Sequence, residues 1–259
     1  MPPSVFILGL GFLGQALRAA LIQQAWPVQG SRRHGQEGDA GVLALDVDAA
    51  EQAPSTHQAL LAADALVCLL PPSGSVAYAA NVMRLVTLMH TQGRLTQVVM
   101  ASSTSVYGHA VRTCTEATPT AAVTASAQAI VALEQALLAS ALAQVSVLRF
   151  GGLYGPDRHP VTVLAQKPHL TGAAQPVNMV SQPDAVTALV QVLTRPLRAR
   201  QLYNVCHPEH PTRQAFYQHE ADRRGLGRLA FAVEPAATGK IIDGRAYLED
   251  YGQVMADLI

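Results

Sequence analysis

The chain has 259 residues, of which 49% are hydrophobic and only 14% are charged, and its formal net charge is zero. This length suits one large domain, or a domain with a small second lobe, that buries a core without disulfides or metals. The neutral charge balance does not favour nucleic acid as a partner, and no apolar run approaches the roughly 20 residues of a membrane helix. We therefore expect neither nucleic acid nor a membrane as a partner.

The first residues predict a strand and not a secretory signal. Residues 1–4 carry no charged leader and run directly into the apolar segment Val5–Leu8. The three cysteines, at positions 68, 114 and 206, are scattered without CxxC spacing, which is typical of reduced thiols. Together these features predict a cytoplasmic protein.

Short apolar strands alternate with helical patterns over the first 150 residues. The predicted strands are Val5–Leu8, Val28–Ser31, Val42–Leu45, Ala65–Leu70, Gln97–Ala101 and Val145–Phe150, and the predicted helices are Phe12–Ala25, Val76–Gln92 and Ala125–Ala143. The strands are continuously apolar, as burial on both faces requires, whereas a half-exposed antiparallel sheet would alternate with period two. The pattern predicts an α/β fold of the Rossmann type, a doubly wound parallel sheet with helices on both faces.

Beyond Gly151 the pattern loosens and then recovers. The later predicted elements are a strand at Val177–Val180, a helix at Pro183–Thr194, a strand at Leu202–Cys206 and a helix at Thr212–Arg224. We interpret residues 1–155 as the main core. Residues 156–259 are interpreted as a smaller C-terminal substrate lobe, from which some segments return to the sheet.

The segment Gly9–Gly14 reads GLGFLG and stands between the first predicted strand and the first predicted helix. In this context a GxGxxG pattern binds the pyrophosphate of a dinucleotide. The first glycine makes a tight turn, the second lets the backbone approach the pyrophosphate, and the third allows close helix–strand packing. The helix N-terminus adds free N–H groups and a positive dipole end. The sequence therefore predicts a nicotinamide dinucleotide as cofactor.

The end of the second strand distinguishes NAD from NADP. An acidic residue there would accept the ribose 2′-hydroxyl, but Ser31 is followed by Arg32 and Arg33, and no acid occurs before Glu37. Arginine suits a 2′-phosphate through bidentate contacts, so we predict NADP as the preferred cofactor and NAD as the alternative. Asp46 is placed to accept from the adenine amino group, unless it is an ordinary loop carboxylate. The full predicted cofactor set is Gly9, Gly11, Phe12, Leu13, Gly14, Ser31, Arg32, Arg33, Asp46, Leu70, Pro71 and Ser102.

Four stretches resemble the extended short-chain dehydrogenases/reductases, specifically the NAD-dependent epimerase/dehydratase family. They are GLGFLG at 9–14, SSTSVYG at 102–108, LRFGGLYGP at 148–156 and YNVC at 203–206, and they extend across most of the chain. Segments 155–160 and 240–244 look closest to an atypical, YeeZ-like bacterial subgroup. The resemblance implies the fold and a cofactor, but a fold does not fix a reaction.

The resemblance also implies a catalytic set of a serine, a tyrosine, and a lysine four residues after the tyrosine. In that set the lysine lowers the pKa of the tyrosine, so that the phenol can transfer a proton. Ser103 stands at the serine position, but Ser126 and Ile130 stand where the tyrosine and lysine are expected. No tyrosine occurs between Tyr107 and Tyr154, so a shift of register does not supply one. The usual tyrosine–lysine mechanism is therefore predicted to be absent.

Three residues are candidates for catalysis in place of that pair. Ser103 would orient the substrate. Tyr107 is a second candidate, although a structural packing role is favoured for it. His109 could carry a proton, unless it is a solvated loop residue. Lys240 could reach the site from the smaller lobe, although a surface position is favoured. Arg149 ends a buried strand and needs a charge partner, which favours structural anchoring. The histidines lack ligand spacing, so no metal is predicted.

Two functions follow from these features. One is an NAD(P)-dependent oxidoreductase or epimerase that acts on a small or nucleotide-linked substrate with an incomplete catalytic set. The other is a cofactor-binding redox sensor or regulatory protein without hydride chemistry. The helices Val76–Gln92 and Ala125–Ala143 resemble those through which relatives dimerise, so a homodimer is expected unless their small apolar faces only cover the sheet.

Overall fold

The computed structural model describes residues 2–34, 40–75, 77–109, 111–232 and 239–258. Its strands are β1 Val5–Leu8, β2 Val28–Arg32, β3 Val42–Ala44, β4 Ala65–Cys68, β5 Gln97–Ser103, β6 Thr113–Cys114, β7 Gln144–Phe150, β8 Gly152–Tyr154, β9 Met179–Ser181, β10 Arg200–Val205 and β11 Ile241–Ile242. Its helices are α1 Phe12–Gln23, α2 Pro54–Ala62, α3 Tyr78–Thr91, α4 Ala125–Leu138, α5 Val161–Leu164, α6 Gln182–Thr194, α7 Arg213–Arg223 and α8 Arg245–Tyr251, with 3-10 turns at Pro72–Gly74 and Thr104–Tyr107. None of these described helices is long and apolar enough to cross a membrane.

Seven strands form the central sheet in the order β10-β7-β5-β4-β1-β2-β3, and every neighbouring pair is parallel. The chain moves outward from β1 to β3 and then places β4 on the other side of β1. The strand order therefore reverses between β1 and β4, which makes a switch point of the kind where doubly wound sheets bind ligands. The predicted Rossmann-type α/β fold is confirmed.

Helices bury both faces of this sheet. One core cluster packs α2, α3 and α4 against it, with Leu60, Leu85 and Leu133 each at most 1% exposed. The cluster on the other face packs α1 and α6 through Leu17 and Leu189, which have no exposed surface. Strands β1 and β4 are buried along their whole length because they lie in the middle of the sheet. This double burial is the physical reason for their unbroken apolar sequence.

A third core cluster belongs to the smaller lobe. It is centred on Phe216 and includes Leu170, Met179 and Leu229, all nearly inaccessible to solvent. Strands β8 and β9 form a separate parallel pair beside it. Later segments also return to the main sheet, because β10 pairs with β7 and α6 lies against α1. The division of the chain near residue 155 stays a prediction.

Several elements differ from the predicted ones. The helix predicted to reach Ala143 ends at Leu138, because the chain turns there to enter β7. The sequence pattern does not predict α2, whose clearest signal is Pro54 in its first turn, nor the short helix α8. Val76, the predicted first residue of α3, lies outside the described residues, and the helix begins at Tyr78.

His159 is buried in the core of the smaller lobe. Its ring contacts those of Tyr154, Phe216 and Tyr217, with centroids 5.3, 5.5 and 6.3 Å away. The Val161 N–H donates to Nδ1 at 3.2 Å, which assigns the proton of the neutral ring to Nε2. Among the described residues Nε2 has no hydrogen-bond partner, and it lies 4.0 Å from the Glu220 carboxylate. Burial lowers the pKa of His159, and the charge of Glu220 offsets this only in part.

Acidification is therefore expected to destabilise the fold through His159. The pKa of this histidine is lower in the folded chain than in the unfolded chain, where it is about 6.5. The unfolded state then takes up a proton first, and the free energy of unfolding falls as the pH drops below about 6.5. His159→Gln should reduce this slope in urea titrations at pH 7.5 and 5.5. Exposed His219→Gln, beside Glu220, should retain it, and equal slopes in the two variants would contradict the assignment.

Candidate functional site

The turn after β1 contains three glycines with different geometry. Gly9 has φ +105°, a conformation that favours glycine. A Cβ on Gly14 would lie 2.2 Å from the carbonyl oxygen of Gly9, so the turn and α1 pack too closely for any side chain. A Cβ on Gly11 would meet nothing within 4 Å, so the backbone here borders open space at the N-terminus of α1. These are the three positions that a dinucleotide-binding turn requires.

Two cavities extend from this turn at the switch point. The β5-side cavity has a volume of about 340 Å³ and lies against the ends of β5 and β7. The β2-side cavity has a volume of about 250 Å³ and lies against the ends of β2 and β3. Gly9, Gly11, Leu70 and Pro71 line both cavities, which therefore adjoin at the glycine turn.

Every residue of the predicted cofactor set lines at least one of these cavities. The members in the wall of the β5-side cavity are Gly9, Gly11, Phe12, Leu13, Gly14, Leu70, Pro71 and Ser102. The members in the wall of the β2-side cavity are Gly9, Gly11, Ser31, Arg32, Arg33, Asp46, Leu70 and Pro71. The Ser31 carbonyl also accepts the Leu10 N–H at 2.8 Å, which fastens the glycine turn to β2.

Two of the three positions of the expected catalytic set line the β5-side cavity. Ser103 lines it, and its Oγ accepts the Ser105 N–H at 3.1 Å. Ile130, at the expected lysine position, is 7% exposed and also lines the cavity. Ser126, at the expected tyrosine position, is an exposed residue in the first turn of α4. Among the described residues no lysine lines this cavity.

Two further residues of this cavity escaped the sequence analysis. Tyr78 is buried, its hydroxyl donates to the Leu70 carbonyl at 2.9 Å, and burial raises its pKa well above the ordinary value. Arg158 places its guanidinium 5.2 Å from the centre of the Phe12 ring, so one cation lies in the cavity wall. Neither follows a sequence motif, because both reach the cavity from loops or helices distant from the glycine turn.

Tyr107 belongs to a buried network beside this cavity. The Tyr107 ring is 1% exposed, and its hydroxyl donates to Asn204 Oδ1 at 2.7 Å. Arg149 donates to that hydroxyl at 2.9 Å and to both carboxylate oxygens of Glu134 at 3.0 and 2.6 Å. Ser102 Oγ donates to the same carboxylate. The structure therefore places the Tyr107 hydroxyl inside the protein and outside the cavity lining, which removes it from the candidates for proton transfer to a ligand.

Electrostatics hold this network together. Burial alone would lower the pKa of Arg149, but the hydrogen bonds and the charge of Glu134 raise it above its ordinary value. Burial raises the pKa of Tyr107 despite the nearby guanidinium. The charge partner predicted for Arg149 is thus Glu134, and both side chains are at most 6% exposed.

The remaining candidates lie elsewhere. His109 is exposed and lines a third cavity, so the structure does not bring it into one cavity with Ser103. Lys240 also lines the third cavity, half-buried, with Nζ donating to the carbonyls of Thr104 and Gly108 at 2.8 and 2.9 Å. Lys240 is therefore partly buried, and it does not line the β5-side cavity that contains Ser103. In the described part of the chain, no group of three or more His, Cys, Asp or Glu side chains is placed to hold a metal.

The sequence profile of the NAD-dependent epimerase/dehydratase family matches residues 5–206, which include every residue that lines the β5-side and β2-side cavities. This chain belongs to that family. Protein YeeZ of Escherichia coli K12 is 35% identical in an alignment 263 positions long, which includes 96% of this chain and 94% of YeeZ. The family resemblance and its YeeZ-like subgroup are therefore confirmed.

Solved structures share this fold. A protein of Methylobacillus flagellatus, assigned to the NAD-dependent epimerases/dehydratases, superposes with a TM-score of 0.83 at 24% identity, covering 98% of this chain and 93% of its own. A short-chain dehydrogenase/reductase superfamily protein of Agrobacterium tumefaciens with bound NAD superposes with a TM-score of 0.76 at 15% identity, covering 98% and 92%. At these identities the likeness establishes the fold alone.

Proposed function

We propose that this protein binds NADP(H), with the pyrophosphate at the Gly9–Gly14 turn. The adenosine lies in the β2-side cavity and the nicotinamide in the β5-side cavity. A dinucleotide consists of two nucleosides joined by a pyrophosphate, so it needs two cavities that meet at an anion-binding turn. The observation that supports the proposal is that both cavities share the walls Gly9, Gly11, Leu70 and Pro71. The N-terminus of α1 supplies N–H groups and a positive dipole end at that point.

The preference for NADP rests on the end of β2. Strand β2 ends at Arg32, and Arg32 and Arg33 both line the β2-side cavity. They stand where a carboxylate would accept the ribose hydroxyls of NAD. A guanidinium binds phosphate through paired hydrogen bonds. Asp46, in the same cavity wall, supplies an acceptor for the adenine amino group.

Removing these guanidinium groups is expected to weaken NADPH binding selectively. Arg32→Ala/Arg33→Ala should raise the Kd for NADPH by about 10–100-fold, because charge-assisted contacts to the 2′-phosphate are lost. The Kd for NADH should change by less than about threefold, since NADH lacks that phosphate. Isothermal titration calorimetry of both cofactors measures the difference, with exposed Arg228→Ala in the smaller lobe as the control. Equal losses for NADPH and NADH would rule out the assignment.

For the reaction we propose an oxidoreductase or epimerase in which Ser103 orients the substrate oxygen beside the nicotinamide. The bound cofactor supplies or accepts hydride. The Ser103 hydroxyl lies in the cavity wall, and its neighbour Ser102 is committed to Glu134. Among the described lining residues only Tyr78 and Arg158 are titratable, and neither forms the family's tyrosine–lysine pair. The proton donor is therefore the substrate, water or a group outside this wall.

A second candidate is a redox sensor that binds NADP(H) without turnover. The observation that favours it is Ile130, whose apolar side chain stands in the cavity wall at the expected lysine position. Absorbance of NADPH during a screen of sugar nucleotides and simple carbonyl compounds distinguishes the two functions. Turnover that falls at least tenfold in Ser103→Ala supports the enzyme. Micromolar NADPH binding without turnover on any of these compounds supports the sensor, and turnover unaffected by Ser103→Ala removes the role of Ser103.

A further inference from the structure

The third cavity has a volume of about 440 Å³, which lies within the range of small-molecule sites. Residues in and beside the 3-10 turn Thr104–Tyr107 line this cavity on one side and the β5-side cavity on the other. Ser103, directly before this turn, lines the β5-side cavity, whereas Ser105 and Gly108 line the third cavity. The β5-side and third cavities therefore lie near the same turn, but they have no lining residue in common.

Lys240 places a cation in the wall of this cavity. Its ammonium is half-buried and donates to the carbonyls of Thr104 and Gly108, so within the described part of the chain one of its three N–H groups remains for another acceptor. The two carbonyls are dipoles and carry no net charge. Among the described residues no carboxylate forms an ion pair with Lys240. A partly desolvated cation without a counter-ion is unfavourable, and an anionic ligand would relieve this cost.

The rest of the cavity lining also favours an anionic ligand. Among the described residues that line the cavity there is no Asp or Glu, whereas His109, Ser105 and Gln175 offer hydrogen-bond donors. Thr124, which caps the 14-residue helix α4, also lines it, so the positive end of that helix lies at the cavity. Val123, with 57% of its surface exposed, adds an apolar wall.

We propose that this cavity is a second ligand site, which binds a small organic anion through Lys240. The carboxylate or phosphate group of the ligand accepts the remaining Lys240 N–H, and hydrogen bonds from Ser105 and His109 complete its coordination. A short apolar portion of the ligand lies against Val123. The site requires neither a bound dinucleotide nor hydride chemistry, so it stands apart from the proposed cofactor function.

Binding of defined probes tests this site. Phenylacetate and phenyl phosphate are titrated at constant ionic strength, with neutral benzyl alcohol as the matched probe, and NMR chemical shifts report binding. We expect at least one anion to bind and benzyl alcohol not to bind, and the two anions distinguish a carboxylate from a phosphate site. Failure of both anions to bind the wild-type protein, or equal binding of benzyl alcohol, would overturn the proposal.

Variants locate the binding. The chain has only two lysines, so Lys167→Met on an exposed loop is the matched control for Lys240→Met. Lys240→Met should weaken anion binding at least tenfold, Lys240→Arg should retain most of it, and Lys167→Met should leave it unchanged. His109→Ala, which replaces an exposed side chain and preserves the core, should weaken it about threefold. Wild-type affinity for the anions in both Lys240→Met and His109→Ala would refute the site. Unchanged NADPH binding in all four variants would show that the anion site is separate from the cofactor site.

Discussion

Replacing Glu134 by alanine is expected to lower the free energy of unfolding by about 3–5 kcal/mol, because it leaves the buried Arg149 guanidinium without a counter-charge. The Glu134 carboxylate accepts two hydrogen bonds from Arg149 and one from Ser102, and the side chains of the ion pair are 6% and 2% exposed. Loss of the carboxylate also leaves the Ser102 hydroxyl without its acceptor. Urea denaturation, fitted to a two-state transition, measures the change.

A double variant separates the desolvation cost from the ion pair itself. Glu134→Leu/Arg149→Met removes both charges, and we expect it to recover most of the stability that either single variant loses. Arg245→Ala is the exposed control, because Arg245 pairs with Asp243 while its own side chain is 74% exposed, and solvent screening should make its effect on stability much smaller than that of Glu134→Ala. A loss in Glu134→Ala no greater than that in Arg245→Ala would show that the network does not stabilise the fold.

The fold was predictable from the sequence where burial leaves a local pattern. Strands β1 and β4 are covered on both faces, so the apolar runs at Val5–Leu8 and Ala65–Leu70 mark them without ambiguity. Helix α2 was missed because it is only nine residues long and its apolar and polar residues are not clearly divided between two faces. The pairing of β10 with β7 is a contact between distant segments and leaves no mark in either strand.

The candidate site was predictable where one contiguous segment supplies it. The glycine turn directly follows β1, and the segment Ser31–Arg33 forms the end of β2, so the sequence predicts which edge of the sheet they occupy. Arg149 revealed a need for a counter-charge, but its partner Glu134 is in a different element and required the structure. Lys240 reaches Thr104 across 136 residues of chain, which no local pattern records.

Substitutions at Gly14 and Gly11 are expected to separate the architecture of the turn from its ligand binding. In Gly14→Ala the new Cβ would lie 2.2 Å from the Gly9 carbonyl oxygen, so the turn or α1 must move. We expect this variant to lose about 2 kcal/mol of stability, the range of overpacking strain. We also expect it to lose at least about 100-fold in NADPH affinity, which corresponds to roughly 2.7 kcal/mol.

In Gly11→Ala the new methyl group meets nothing within 4 Å, and the φ of −85° at this N-cap position lies outside the left-handed region that favours glycine. Stability should therefore fall by about 1 kcal/mol or less, because alanine is a poorer N-cap residue than glycine but causes no clash here. NADPH affinity should still fall steeply, because the methyl group stands where the backbone must approach the pyrophosphate. Thermal unfolding and calorimetric titration of both variants measure the two quantities. Wild-type NADPH affinity in Gly11→Ala would mean that the pyrophosphate does not approach this turn, and the dinucleotide site would have to be abandoned even though the fold requires glycine at positions 9 and 14.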